Sequence, residues 1–170
     1  MEFRKIKQFV NGGNYAVDIP WNYLRSWLKS HTEHGQTVEL DPDFQRAHVW
    51  NNEKRSAFVE YVLQGGVSSR DIWWNCKGWP SSSNSIQLVD GKQRMEAVLR
   101  FLDNKLEVFN GYKLKDYTDR FDVMISFRMH VNNLETRAEV LQWYLQMNAG
   151  GVVHSKKALD KVRRMLESEK

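Results

Sequence analysis

The chain has 170 residues, 41% of them hydrophobic and 27% charged, which suits one ordinary core and is short for two domains. With 8 Phe, 6 Tyr and 7 Trp against only 3 Pro and 10 Gly, the composition excludes a disordered or fibrous chain, and 25 Lys and Arg against 21 Asp and Glu leave a mild +4 that permits contact with a polyanion without requiring it. The single cysteine, Cys76, excludes an internal disulfide framework and a zinc site built on several thiolates; no apolar run approaches ~20 residues, so the sequence predicts one domain over 1–170, cytoplasmic and away from membranes.

From the start, Tyr15 to Ile19 reads as a short strand, and Pro20 sits where the first helical turn tolerates a missing N–H. Leu24, Trp27, Leu28 and His31 follow at helical spacing. Thr37 to Leu40 is a second short strand, delivering the chain into Asp41-Pro42-Asp43-Phe44-Gln45-Arg46, a polar segment without amphipathic period. A helix is predicted from a cap at Asn51 or Asn52, burying Phe58, Val59, Val62 and Leu63 and stopping at Gly65-Gly66. Ile72 to Asn75 is the next strand, Trp79 to Ser85 an exposed connection, and Ile86 to Val89 a central strand ended by Asp90-Gly91. Met95, Val98, Leu99 and Leu102 then mark a helix directly after that turn. Asn110-Gly111, between Leu106 to Phe109 and Tyr112 to Leu114, predicts a two-residue hairpin. From Val123 to Val131 apolar and polar residues alternate as in a half-buried strand. Leu134, Ala138, Leu141 and Leu145 mark another helix, ended by Asn148-Ala149-Gly150-Gly151, and Ser155 is placed to cap a last one.

The most informative segment is Asp90-Gly91-Lys92-Gln93-Arg94, because it sets two cations in the first turn of a helix. The positive end of the helix dipole disfavours them by a few tenths of a kcal/mol, roughly, unless an anion offsets it. A glycine that lets a ligand approach the main chain, free N–H groups and two cations together suit a phosphate; an exposed basic turn with an Asp-Gly stop accounts for the same residues about equally well. In the segment from Asp41, Arg46 offers a bidentate guanidinium, while Asp41 or Asp43 paired with Arg46, or an Asx turn beside Pro42, is the ordinary reading. Lys156, Lys157, Lys161, Arg163 and Arg164 form a basic run, read first as a solvated helix face and second as a nucleic-acid contact. His31 and His34 lack further ligands at metal-binding spacing, which leaves them a structural or surface role. Of Trp73 and Trp74, one is expected in the core and the other is available for stacking.

Three of these clusters, in this order, resemble the ParB/sulfiredoxin-like superfamily and, within it, the N-terminal domain of GmrSD-type modification-dependent restriction systems. The matching residues are Asp41 to Arg46 with Trp50 and Lys54, Asp90 to Arg94 after its strand, and Asn148 with the glycines that follow. The family's second motif is usually Asp-Gly-Gln-Gln-Arg, so Lys92 stands where a Gln is usual. The resemblance implies a compact α+β fold, a small mixed sheet surrounded by helices, that binds and hydrolyses nucleoside triphosphate. Carried over, Asp90 holds a divalent metal such as Mg2+ or orients water, Arg94 and Arg46 steady phosphate oxygens, Gln45 and Gln93 position them, and Gly91, Lys92 and Asn148 complete the nucleotide site. DNA cleavage in such systems resembles the work of a separate His-centred nuclease domain, which is not found in this sequence. The expectation is therefore a ParB-like domain hydrolysing nucleotide or nicking nucleic acid by itself. The alternatives are a DNA- or NTP-sensing module that serves a separate nuclease, and an interaction protein of a virus or mobile element that interferes with a defence complex.

Overall fold

A computed structural model describes residues 2, 5–6, 15–45, 49–80, 84–119, 122, 124–148 and 156–169, the side chains of 156–158 excepted. The elements are β1 (Tyr15–Pro20), α1 (Leu24–Glu33), β2 (Val38–Glu39), α2 (Asn52–Leu63), β3 (Asp71–Cys76), β4 (Ile86–Asp90), α3 (Lys92–Leu102), β5 (Ser126–Asn132), α4 (Arg137–Asn148) and α5 (Lys156–Ser168). The five strands form one mixed sheet in the order β1-β5-β3-β4-β2, so the class is the expected α+β. β5 is antiparallel to β1 and parallel to β3, while β4 is antiparallel to β3 and parallel to β2.

Period-2 alternation sends Ile72 and Trp74 of β3, Ile86 and Leu88 of β4, and Phe127, Met129 and Val131 of β5 into the main core. Leu24 and Leu28 of α1, Phe58, Val59 and Val62 of α2, and Met95, Val98 and Phe101 of α3 cover that face. A second cluster joins Val89, Phe44 and Leu134 to Val140, Leu141, Trp143 and Tyr144 of α4 and Val162 of α5, with Trp73 packed against it. The sheet is thus apolar on both sides. That is why β5, read as half-buried, also buries His130 and Asn132 on its polar register.

The cap of α2 is as predicted: the Asn51 side chain accepts from the Lys54 N–H at 3.0 Å. Its end is a Schellman closure, with Gly66 N–H donating to Tyr61 O and Gly65, at φ +90°, donating to Val62 O.

Three expectations need correction. Pro20 closes β1 instead of opening a helix; a 3₁₀ turn, Trp21–Tyr23, leads into α1. The Asn110-Gly111 hairpin reduces to one bridge, Val108 to Tyr112, because Phe109, Asn110 and Gly111 all take positive φ and make a wider turn, while Leu106 and Val108 are drawn into the main core. Strand β5 starts only at Ser126, since the Asp122 carboxylate accepts the Met124 N–H at 2.8 Å and turns the chain just before it. Val123 and Ser155, used in the sequence-based reading, lie outside the described residues.

Candidate functional site: a polar turn between β4 and α3

The β3–β4 pairing is irregular where the chemistry collects. Trp73 pairs with Asp90 but Trp74 pairs with Leu88, so β4 carries one extra residue, Val89. Such a bulge re-aims the strand end and disturbs its ladder. Gln45 repairs the disturbance from outside the sheet: its amide Nε2 donates to the carbonyls of Leu88 (2.9 Å) and Val89 (2.7 Å).

Next comes Gly91, at φ +106°, where a Cβ would come within 2.5 Å of the Ile72 side chain. Only glycine takes that backbone conformation at little cost, and here it lets α3 start one residue after the strand ends. No acidic residue lies in the first turn of α3, so the helix dipole and the two cations there add up to a positive locus. The compensating carboxylates come from outside the turn. Lys92 Nζ is hydrogen-bonded to Asp41 Oδ1, and Arg94 Nη2 donates to Asp90 Oδ2 at 2.8 Å and Nη1 to Ser69 O at 3.1 Å. The Lys92 side chain is 5% exposed and that of Asp41 63%.

Gln93 is buried and holds the other wall. Its Oε1 accepts from the N–H groups of Val49 and Trp50, both at 3.0 Å. Its Nε2 is buried with no hydrogen-bond partner. Gln45, Trp50, Asp90, Gly91, Lys92, Gln93 and Arg94 enclose a cavity of about 130 Å³. At ~30 Å³ per water that is about four waters, the scale of phosphate groups and too small for a whole nucleoside. A larger hollow of about 850 Å³ lies against Trp21, Phe101 and Tyr117, with mainly apolar walls. The polar convergence belongs to the small cavity.

Two of the three sequence clusters therefore meet, Gln45 from one and Asp90 to Arg94 from the other, although more than forty residues separate them. Arg46 lies outside the described residues. Asn148 does not line the cavity; its Nδ2 donates to Tyr144 O at 2.7 Å, one turn back along α4. In α5, Lys161, Arg163 and Arg164 are exposed, Lys161 reaching Asp43 O and Arg163 pairing with Asp160 at 2.8 Å. The side chains of Lys156 and Lys157 lie outside the description. His31 bonds Gln36 Oε1 through Nδ1 at 2.5 Å and packs edge-on against Trp27, and His34 Nδ1 meets Ser30 O at 2.5 Å, the structural roles expected of them.

Sequence reasoning missed a neighbouring group. His130 Nε2 meets Asp71 Oδ1 at 2.6 Å, and its ring stacks on Trp73 with centroids 3.9 Å apart. Trp73 pairs in register with both His130 and Asp90, so the three share one row across the sheet. Trp74 is the fully buried member of the tryptophan pair. No spacing signal in the chain joins His130 to Asp71 and Trp73, because it comes from β5 and they come from β3.

The fold and the turn define an α+β domain with a strand, a glycine and a helix start arranged around a small polar cavity. Residues 24–162 match the family model described as the GmrSD restriction endonuclease, N-terminal domain. The match covers most of the chain and both walls of the cavity, and the chain belongs to this family, which relates it to restriction systems. A comparison with curated proteins gives no match. Among the described residues, no helix is long and apolar enough to cross a membrane, and no three His, Cys, Asp or Glu side chains are grouped to hold a metal ion.

Proposed function

We propose that this domain binds nucleoside triphosphate with its phosphates at the Gly91 turn, and that nucleotide binding, with hydrolysis, serves action on DNA or its sensing in a restriction setting. The observation that carries this reading is the convergence of Gln45, Asp90, Lys92, Gln93 and Arg94 on one cavity at the start of α3. Helix N-termini favour anions through their dipole and unpaired N–H groups, and phosphoryl transfer asks mainly for positioning and charge neutralisation, so the set needs no covalent nucleophile.

In this reading Arg94 and Lys92 neutralise phosphate oxygens, Gln93 offers its buried Nε2, and Gln45 keeps the end of β4 in place. Arg46, Gly91 and Asn148 stay in the proposed set on the family resemblance. Asp90 orients the attacking water or holds Mg2+. One protein carboxylate suffices for that ion when phosphate oxygens supply further ligands. A bound Mg2+ would neutralise charge on the phosphates.

The pairing of Lys92 with Asp41 and of Arg94 with Asp90 favours a second reading, a nucleotide-sensing module that works with a separate nuclease or defence protein. Both cations are already neutralised, so binding must rearrange the site before anything else can happen.

The test incubates the purified protein with each NTP and with plasmid DNA, with and without magnesium, and follows phosphate release and nicking in the same samples. Asp90→Ala and Arg94→Ala are expected to abolish nucleotide-dependent activity while melting stays cooperative. Binding without turnover would select the sensing module. Wild-type protein that neither binds nor hydrolyses any NTP would overturn the proposal, and loss of cooperative melting in both variants would make the turn structural.

A further inference from the structure

Resting on the reading of the Gly91 turn as a phosphate site, we infer that Asp41 is a tethered competitor of the incoming anion, so that the ligand must displace this carboxylate from Lys92. The ion pair is lopsided. The Lys92 side chain is 5% exposed and fixed at the start of α3, whereas that of Asp41 is 63% exposed and sits on a loop. A buried ammonium keeps a counter-charge, because leaving it unpaired costs several kcal/mol, roughly. The mostly hydrated carboxylate is the replaceable partner, since it regains water on leaving.

An independent observation points to an acceptor beside Lys92. Gln93 is 7% exposed, lines the same cavity as Lys92, and its Nε2 has no hydrogen-bond partner. Its Oε1 already serves Val49 and Trp50, so the amide cannot turn over to pair its Nε2, and a side chain that lines the cavity keeps a donor that an acceptor oxygen would satisfy. Asp41 pairs with Lys92 and leaves that donor unsatisfied. A phosphate group in the cavity would offer acceptor oxygens to both residues that line it.

The tether makes Asp41 a strong competitor. Two residues on, Asp43 is held by Arg137 through both carboxylate oxygens, at 3.0 and 2.8 Å, and by Lys161 through its carbonyl. Phe44 packs edge-on against Tyr144, with ring centroids 5.3 Å apart. These anchors keep the Asp41 carboxylate beside Lys92 at high effective concentration whether or not it is bound. They also mean that displacing Asp41 strains a segment fixed to α4 and α5, which links occupancy of the turn to the C-terminal helices.

The test is calorimetric titration of pyrophosphate and of each NTP into wild type, Asp41→Asn, Lys92→Gln and the double variant. Asp41→Asn is expected to tighten pyrophosphate about tenfold or more, because the competitor loses its charge while Lys92 keeps its own. In the Lys92→Gln background the same substitution should change nothing. Should Asp41→Asn melt without cooperativity, amide hydrogen exchange on the wild type replaces it: saturating pyrophosphate should speed exchange at 41–44 if Asp41 is displaced. Unchanged or weaker binding in Asp41→Asn, or slower exchange at 41–44, would overturn the inference and leave the nucleotide reading standing. Absence of binding in all four proteins would remove both.

Discussion

Gln93 has its two amide atoms in different situations: Oε1 ties down Val49 and Trp50, and Nε2 is buried without a partner in a side chain that lines the cavity. Gln93→Ala should therefore destabilise the protein by about 1–2 kcal/mol, the range for stripping partners from backbone donors that are partly screened from water. Urea denaturation measures this, and a change under a few tenths of a kcal/mol would mean that water serves Val49 and Trp50 equally well. The turn itself was legible in the chain, because an Asp-Gly stop next to an apolar helical stripe leaves little choice of local structure. Its partners were not. Asp41 reaches Lys92 and Asp43 reaches Arg137, 94 positions away, pairings that no local signal gives. Charge type shows that a carboxylate needs a cation; only the fold decides which one. For the same reason the Asp71–His130 pair and its Trp73 platform were invisible, since strand order and not sequence distance sets them side by side.

Helix signals transferred from sequence to structure better than strand and turn signals. The cap and stop of α2 rest on local chemistry, the Asn51 side chain at one end and the two glycines at the other. Asn51→Ala should accordingly cost about 1 kcal/mol, measurable as a lower denaturation midpoint at unchanged slope. An equal midpoint would show that the exposed first turn is capped by solvent alone. The Asn110-Gly111 turn failed as a predictor because its flanks answer to the main core: Leu106 and Val108 are 2% and 1% exposed, and the chain widens its turn to bury them. Alternation along β5 gave the right face for Phe127, Met129 and Val131. What sits over the opposite face was outside its reach, because α4 and α5 arrive from later in the sequence.

At the scale of the whole molecule, the charge that remains unspent decides whether DNA is a partner of this surface. The excess of +4 is small, so any DNA-binding face must come from clustering, and α5 is where cations are densest. Lys161 is occupied with Asp43 O, and Arg163 shares Asp160, whereas Arg164 is exposed on the same helix. A helix that faces duplex DNA releases counterions as it neutralises phosphates, so log K should fall linearly with log salt, with a slope of about −0.9 per phosphate neutralised. Replacing Lys157, Arg163 and Arg164 by Gln, with Lys161 left in place to hold Asp43, should weaken binding about equally across sequences and flatten that slope. Equal weakening follows because phosphate contacts position a protein without reading bases. Titration of labelled duplexes of unrelated sequence at several salt concentrations supplies the measurement. If the wild type fails to bind at low salt, or the triple variant keeps the wild-type slope, the charges of α5 form a solvated face, and the helix serves the site by packing Val162 in the second cluster and holding Asp43.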